Sequence, residues 1–236
     1  VFCLLCDKFS YLLDKVTITN IKKHCDMMYK KFIIDDNNYV GGNHGLYHDL
    51  AGMYYCIFFN CDNVKFFRDR YDKNIRDYIS FDEGLCFEHS TNYHRLYKSI
   101  FDIYKHIIND NTNEINHFIN NFNNNFTYFI NNGKYIQFGD TDIEPLHEEK
   151  ITIKNIKSTT DKIKLFHKSG FAFYKNNDFH LGITNCFHSI KHKQKDDCSF
   201  VFYYKNNLIL CDGGRYDYNK SDIRSKISHF HVHNCL

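Results

Sequence analysis

The sequence predicts an α+β protein in which antiparallel helices come first and an antiparallel β-sheet follows. Through the first half, apolar residues recur at every third or fourth position, as amphipathic helices require. After Gly133 the pattern changes to short runs that alternate or are wholly apolar, separated by Asn-rich breaks. We therefore expect a helical domain at residues 1–132 and a sheet domain at residues 133–236.

The helical period appears in five segments of the first half. They lie at residues 3–15, 46–58, 64–78, 93–107 and 115–129. Short polar links between them suit antiparallel neighbours. The last segment has an Asn-rich outer face, but its Phe and Ile spacing favours a helix over a disordered tract.

The second half contains six strand-like runs. They lie at residues 151–153, 163–166, 171–174, 179–184, 199–204 and 208–211. Asn176-Asn177-Asp178 and Lys205-Asn206-Asn207 separate neighbouring runs with the residue types that form tight turns. The pattern therefore predicts hairpin-connected, antiparallel strands.

Composition restricts the class of protein. A formal net charge of +2 argues against a nucleic-acid binder that relies on bulk electrostatics. No stretch approaches the roughly 20 apolar residues of a membrane span. Of ten cysteines, Cys3 and Cys6 form one CxxC without a second pair, and Cys56, Cys198 and Cys211 lie in apolar runs. We expect buried free thiols, which favour a reducing compartment.

The first of five polar clusters is Asn43-His44-Gly45, directly before a predicted helix. Asn43 is a suitable N-cap, so capping with an incidental histidine is one interpretation. The other is an anion site, because a helix N-terminus attracts negative charge and both side chains add donors.

The second cluster contains Glu88, His89, Tyr93 and His94, at the start of the next long helix. Tyr93 falls on the apolar face of that helix and could simply be its first core residue. Alternatively, its phenol points into a cleft as a proton donor, with the acidic and imidazole groups close by. The sequence leaves both interpretations open.

The remaining clusters lie in the sheet half: His192 with Asp196-Asp197, Asp212 to Tyr216, and His229 to Asn234. His192 is either a solvated loop residue or an imidazole held where it can exchange protons. Asp212 followed by two glycines also suits a turn. His229, His231 and His233 alternate, so on a strand all three would face one side, as metal ligands or as a structural metal module.

Taken in order, the clusters resemble the heparinase II/III-like family of polysaccharide lyases. The resemblance spans residues 41–236, and no single motif decides it. The matching residues are Asn43-His44-Gly45; Asp82-Glu83-Gly84; Phe87-Glu88-His89-Ser90 with Tyr93-His94; Ser169-Gly170-Phe171-Ala172-Phe173-Tyr174; His192 with Asp196-Asp197 and Ser199-Phe200; Leu210 to Asp212 with Gly214 and Tyr216; and His233-Asn234. The resemblance implies a partial (α/α) toroid followed by an antiparallel β-sandwich domain, with the substrate cleft between them.

The resemblance also implies an activity, β-elimination at a uronic acid in an acidic polysaccharide such as a glycosaminoglycan. Asn43 and His44 would offset the charge that builds on the uronate carboxylate. Tyr93 would be the acid, and His192 the base on one substrate epimer. The implied substrate-binding residues are Glu88, His89, His94, Arg215 and Tyr216.

A metal in the sheet domain is the third implication of the resemblance. Asp212 and His233 match two of its ligands, whereas Gln194 stands where the family pattern has a histidine. Glutamine is a poor zinc ligand. The zinc site is therefore lost, weakened, or completed by a residue such as His231.

Gln194 also keeps a rival interpretation open, in which a non-catalytic relative binds glycans or serves bacterial surface-polysaccharide biosynthesis. The expected partner is an acidic polysaccharide in either case. The chain starts without Met and stops just after a polar cluster, so we expect a piece of a longer protein. The resemblance favours a periplasmic or secreted location, whereas the cysteines favour the cytoplasm.

Overall fold

A computed structural model of the chain describes residues 8–35, 37, 39–108, 112–142, 161–188, 194–215, 219 and 221–235. Helices precede an antiparallel sheet, which confirms the predicted α+β class. The chain divides into two compact units, Val1–Tyr78 with Ser99–Thr112 and Ile79–Lys98 with Asn113–Leu236. The domain boundary near residue 132 and the toroid and sandwich architectures stay predictions. The strand expected at residues 151–153 lies outside the described residues.

The first unit is helical. Its helices are α1 (Lys15–Met28), which continues as a π-helical turn at Tyr29–Ile33, α2 (Asn43–Phe59), α3 (Val64–Tyr78) and the part of α4 (Thr91–Ile108) that starts at Ser99. Asp14 caps α1 by accepting a hydrogen bond from the Thr17 backbone nitrogen at 2.8 Å. The helices predicted from residues 46–58, 64–78 and 93–107 are confirmed.

Where the chain is described, the helix predicted over residues 3–15 is confirmed at residues 8–9 and wrong at residues 10–14. Ser10–Leu12 form a 3-10 turn, and Phe9 and Leu12 are 44% and 68% exposed. The apolar side chains of this segment therefore do not form a buried face, and helical spacing without burial leaves a short helix marginal.

Aromatic stacking and close helix approach build the core of the first unit. Tyr29 stacks on Tyr55 with ring centroids 4.2 Å apart, and Tyr71 stacks on Tyr104 at 4.7 Å. Gly52 lets α2 and α3 approach, because a Cβ there would lie 2.5 Å from the Phe67 ring. Burial of these large rings supplies most of the local hydrophobic stabilisation.

The second unit begins with hairpins and helices that surround a phenylalanine core. Its elements before the sheet are β1 (Ile79–Ser80), β2 (Leu85–Cys86), the start of α4, α5 (Asn113–Asn125), a 3-10 turn (Phe126–Phe129), β3 (Ile130–Asn131) and β4 (Lys134–Tyr135). Phe122 stacks on Phe126 at 4.5 Å. The helix predicted over residues 115–129 is thus confirmed as an α-helix that tightens into a 3-10 turn.

A five-stranded antiparallel sheet follows, with its strands in chain order. The strands are β5 (Lys162–Phe166), β6 (Phe171–Lys175), β7 (Phe179–Thr184), β8 (Ser199–Tyr204) and β9 (Asn207–Leu210). Lys205 and Asn206 adopt φ values of 47° and 64°, the left-handed pair of a tight hairpin turn. The predicted strands and hairpins of this region are confirmed.

The two faces of the sheet differ sharply in exposure. One face carries Phe171, Phe173 and Val201, all at most 3% exposed, and Phe173 lies 4.7 Å from Phe129. On the other face Ile163 and Leu165 are 74% and 51% exposed. Only the first face is covered by described residues.

The eight cysteines of the described part are free, as expected. Cys56 is buried, but Cys211 is exposed, so the expectation of burial is wrong for Cys211. It follows the edge strand β9, whose four residues are all exposed. None of the helices in the described part combines the length and apolar character needed to cross a bilayer.

Candidate functional site

The start of α2 carries the predicted carboxylate-binding pair. Asn43 is the first helical residue and is half-buried, and His44 is exposed. Asn43 is not the N-cap, which corrects the capping interpretation. The cap is Gly42, whose φ of 78° and ψ of −154° suit glycine. Asn43 thus keeps its side chain free of a capping role, beside the backbone N–H groups of the first helical turn.

Asn74 of α3 clamps the chain immediately before Asn43. Its Oδ1 accepts from the Gly42 backbone nitrogen at 2.9 Å, and its Nδ2 donates to the Gly42 carbonyl at 3.1 Å. Asn74 is only 7% exposed. Because one buried amide holds both polar groups of Gly42, the position where α2 begins is fixed by α3.

A buried charge pair supports the same helix start from one turn further on. Arg70 donates to Asp49 with its Nε at 2.7 Å, and their side chains are 13% and 0% exposed. Tyr39 donates its hydroxyl to Asp49 at 3.0 Å, and its ring lies 4.1 Å from the Arg70 guanidinium. Burial, followed by the Asp49 charge, raises the Tyr39 pKa, so this hydroxyl remains a donor.

The Glu88–His94 cluster is mostly buried in the second unit. Glu88 is 5% exposed, His89 1% and His94 0%, whereas Tyr93 in the first turn of α4 is half-buried. Tyr93 therefore keeps part of its surface at the protein exterior, which the predicted role as acid requires.

His94 belongs to the hydrophobic core. Its Nδ1 lies 3.2 Å from the Cys86 backbone nitrogen, which donates to it, and its ring is edge-on to Phe129 at 4.9 Å. Burial lowers its pKa to about 3, so the ring is neutral. His94 is fully enclosed by the core, and its predicted contact with substrate stays a prediction.

His89 holds the chain that precedes the His192 segment. Its Nε2 accepts a hydrogen bond from the His188 backbone nitrogen at 3.1 Å. The His188 ring in turn stacks on Phe87 at 4.7 Å. His192 itself, like Tyr216, lies outside the described residues, so the predicted roles of both stay predictions.

Two of the matching motifs contact each other. The Glu83 carboxylate accepts from the Lys168 backbone nitrogen at 2.9 Å, and from the backbone nitrogen and hydroxyl of Ser169 at 2.9 and 2.6 Å. Gly84 adopts a φ of 63°, and a Cβ there would lie 2.2 Å from the Phe122 nitrogen. The contacts between Asp82-Glu83-Gly84 and Ser169-Gly170 therefore hold the β1–β2 turn against the β5–β6 turn and have a structural role.

Asp212 lies at the centre of a second buried cluster, which we call the Asp212 cluster: Gln194, Ser199, Asp212, Gly214 and His233, with Asp140 and Arg224. Asp212 Oδ2 accepts from the Ser199 hydroxyl at 2.9 Å and lies 2.8 Å from His233 Nδ1. Its Oδ1 accepts from the Gly214 nitrogen at 3.1 Å. Burial lowers the His233 pKa, but the hydrogen bond and the charges of Asp212 and Asp196 outweigh it, and the net shift is upward.

Gln194 joins this cluster to Asp140. The Gln194 amide nitrogen donates to Asp140 Oδ1 at 2.7 Å and to the Gly214 carbonyl at 3.1 Å. Arg224 pairs with Asp140 at 2.8 Å. Sequence reasoning missed Asp140 and Arg224. Asp140 follows a glycine in a turn-like stretch, and Arg224 lies in a short polar segment, so no local signal marked them.

The histidine run near the end of the chain is not a strand, which corrects that prediction. Phe230–Val232 form a 3-10 turn, with His229 and His233 as its caps. His231 is exposed and stacks on His229 at 4.7 Å, whereas His233 is 8% exposed. The turn breaks the two-residue alternation, so the three imidazoles do not share one face.

Arg215, predicted to bind substrate, is engaged by a neighbouring carboxylate. It forms a two-pronged ion pair with Asp142, with the Nε to Oδ1 distance at 2.9 Å. The pair is partly exposed, at 29% for the arginine side chain and 30% for the aspartate. A substrate carboxylate would have to compete with Asp142 for this guanidinium.

The residues present do not fit the zinc that the resemblance implies. Structural zinc sites in proteins are almost always four-coordinate. Asp212 and His233 are in contact. Gln194 uses its amide nitrogen to bind Asp140 and Gly214, and its amide oxygen, a poor zinc ligand, is buried without a hydrogen-bond partner among the described residues. Among the described residues, no three His, Cys, Asp or Glu side chains converge into a possible metal site.

The fold and the two polar clusters define an α+β protein, with helices that precede an antiparallel sheet. In sequence, residues 158–236 match the family model described as heparinase II/III-like, C-terminal. The match confirms the resemblance predicted from the motifs over this third of the chain. No curated protein matches the sequence.

Solved structures with the same fold extend the comparison to the helical half. A heparinase III gene product superposes with a TM-score of 0.68 at 19% identity over 92% of this chain and 39% of its own. Heparan sulfate lyase HepC from Pedobacter heparinus gives 0.64 at 15% identity, over 92% and 38%. A further heparinase III gives 0.68 at 14% identity, over 99% and 44%. The chain thus spans less than half the length of these proteins, and the likeness shows the fold.

Proposed function

We propose that the protein is a polysaccharide lyase that cleaves a uronate-containing acidic polysaccharide by β-elimination. The observation that carries the proposal is the heparinase II/III-like match of residues 158–236. Because a solved protein of the same fold is a heparan sulfate lyase, heparan sulfate is the first substrate to test.

The reaction needs three groups. A base removes the C5 proton of the uronate, the electron pair forms the C4–C5 double bond, and the C4–O4 bond breaks. An acid protonates the departing O4. The negative charge that accumulates on the carboxylate in the transition state must be offset by fixed donors. We assign the donor role to Asn43 and His44, the acid to Tyr93 and the base to His192.

The local structure around Asn43 supports its assignment. A helix N-terminus attracts an anion through unpaired backbone N–H groups and the helix dipole. Asn43 lies in that first turn with a side chain that does not cap the helix, and Asn74 fixes the preceding residue. Preorganised donors cost little reorganisation during the reaction, which is what stabilises a developing charge.

A non-catalytic glycan-binding relative, including one in surface-polysaccharide biosynthesis, is the second candidate. Gln194 favours it, because a departure from the family pattern lies two residues after the proposed base. The two candidates differ in a simple readout: a binder retains polysaccharide without producing unsaturated ends.

The test uses the full-length protein with heparan sulfate, other glycosaminoglycans and alginate, and follows the absorbance of the unsaturated product. We expect product with at least one uronate polymer, and loss of activity in Tyr93→Phe and in His192→Ala. The matched controls are Tyr11→Phe and His167→Ala, which change exposed residues of the same types. Activity that survives in both site variants would disprove the mechanism, and binding without product would favour the second candidate.

A further inference from the structure

We propose that the Asp212 cluster holds its chain segments together without a metal ion. Hydrogen bonds that run from Gln194 through Asp140 to Arg224 take the structural role that a bound metal would otherwise have. The inference does not depend on the lyase activity. It concerns how three separate stretches of the second unit, around residues 194, 212–214 and 224, are held together.

The first step of the argument is the saturation of Asp212. Asp212 is 2% exposed, and its carboxylate accepts hydrogen bonds from Ser199, Gly214 and His233. Ser199 lies at the start of β8, and His233 follows the 3-10 turn at Phe230–Val232, so two of the three donors come from other parts of the chain. Three charge-assisted hydrogen bonds stabilise a buried carboxylate without a cation.

The second step is the orientation of Gln194. Both acceptors near its amide, the Asp140 carboxylate and the Gly214 carbonyl, require the nitrogen end to face them. The nitrogen end donates protons and cannot coordinate a cation. Gln194 is 2% exposed, and its amide oxygen is buried without a hydrogen-bond partner among the described residues, so the two bonds from the nitrogen are the contacts that hold the side chain.

Arg224 balances the negative charge of the buried Asp140 carboxylate. Arg224 donates to both oxygens of Asp140, at 2.8 and 3.1 Å, and the Asp140 side chain is fully buried. The arginine supplies the positive charge that a buried carboxylate needs. A divalent cation would add charge where the arginine already provides it.

These contacts fix the position of Gln194, which lies two residues after His192 in the sequence. The Gln194 side chain is tied to Asp140 and Gly214, and the next residue, Lys195, donates its backbone nitrogen to the Ser228 carbonyl at 3.0 Å. Hydrogen bonds from side chain and backbone therefore hold residues 194 and 195 without a metal.

The test measures metal content and thermal unfolding of the full-length protein, purified without chelator and then dialysed against EDTA. We expect zinc well below an equimolar amount and a melting temperature that neither chelator nor added zinc changes. Gln194→Met, which keeps the length of the side chain but removes both hydrogen bonds, should lower the melting temperature by several degrees in every buffer. Lys195→Met is the matched control, because its side chain is exposed and its backbone bond is retained.

Two results would overturn the proposal. One is equimolar zinc that resists dialysis, with a melting temperature that falls on chelation and recovers with zinc. The other is a Gln194→Met protein as stable as Lys195→Met, since the amide contacts would then contribute nothing to the stability of the cluster.

Discussion

The start of α2 is held by Asn74, Asp49 and Arg70, which we call the clamp, and the Asp212 cluster holds residues 194 and 195. Both use buried polar groups next to residues of the proposed site, but they do so differently. In the clamp, two neighbouring helices supply the residues, and a single arginine–aspartate pair carries the charge. In the Asp212 cluster, contacts run between segments up to 84 positions apart. Each region contains one buried arginine–aspartate pair, but the cluster also holds a second buried carboxylate, Asp212, through hydrogen bonds from Ser199, Gly214 and His233.

This difference predicts how each region fails. Removing one member of a buried ion pair leaves the other charge without its counter-ion in a poorly solvated site. Removing one donor from a shared network leaves the remaining hydrogen bonds in place, so the loss is smaller. Two predictions concern buried polar groups at the start of α2, for comparison with Gln194→Met in the Asp212 cluster. A third concerns buried histidines elsewhere in the second unit.

The largest effect is expected for Asp49→Asn in the clamp. The neutral side chain leaves the Arg70 charge uncompensated, and the free energy of unfolding should fall by about 3–5 kcal/mol in a urea titration. Asp69→Asn is the control, since it breaks an exposed ion pair with Lys65 on the same helix and should cost less than about 1 kcal/mol. Equal effects of the two changes would show that the buried pair has no special weight.

An intermediate effect is expected for Asn74→Ala. Both hydrogen bonds to Gly42 are lost, and the free energy of unfolding should fall by about 1–3 kcal/mol. Under the proposed function the same change should lower kcat and kcat/KM together, because Asn43 would lose the fixed position from which it offsets transition-state charge. Lys73→Ala, at an adjacent exposed position, should alter neither stability nor kcat. An unchanged kcat in Asn74→Ala would show that its contacts with Gly42 do not support catalysis.

The smallest effect is a pH dependence confined to the second unit. Burial lowers the pKa of His94 to about 3, and burial followed by the Lys175 charge does the same for His180. Both rings are neutral in the folded protein but take up protons when unfolded, so stability is lost as pH falls below about 6.5 towards the folded values. At pH 5 each should cost on the order of 1–2 kcal/mol.

Urea titrations at pH 5 and pH 7.5 measure this pH dependence. The His94→Gln protein should lose less stability between the two pH values than the unmodified protein does. His167→Gln, which changes an exposed histidine, is the control and should leave the pH dependence as it is. An unchanged pH dependence in His94→Gln would contradict the neutral, buried state of His94.

The spacing of apolar residues and the residue types at turns predicted most of the fold, because both signals depend on residues close together in the sequence. The apolar spacing in α2 to α5 and the Asn-rich hairpins of the sheet report on neighbours within a few residues along the chain. The segment at residues 3–15 has the same spacing but exposes Phe9 and Leu12, since a periodic pattern does not specify a partner surface.

The candidate site was predicted less well, and the reasons are physical. The sequence allowed Asn43 as the helix N-cap, but in the structure Gly42, with a positive φ, is the N-cap. Asn74, which is distant in sequence, binds the backbone of Gly42. Asp140 and Arg224 became visible only once folding had brought them to Gln194. Long-range contacts of this kind leave no periodic trace in a single sequence.

The sheet face that the described residues leave uncovered affects how the chain behaves at high concentration. Lys162 and Lys164 protect the β5 edge against strand-to-strand pairing, but Ile163 and Leu165 on this edge strand and Ile209 on the opposite edge strand are exposed. Exposed apolar side chains at both edges of a sheet promote attraction between molecules. Mild detergent or low protein concentration should therefore keep preparations monodisperse, and salts that strengthen apolar association should bring them out of solution.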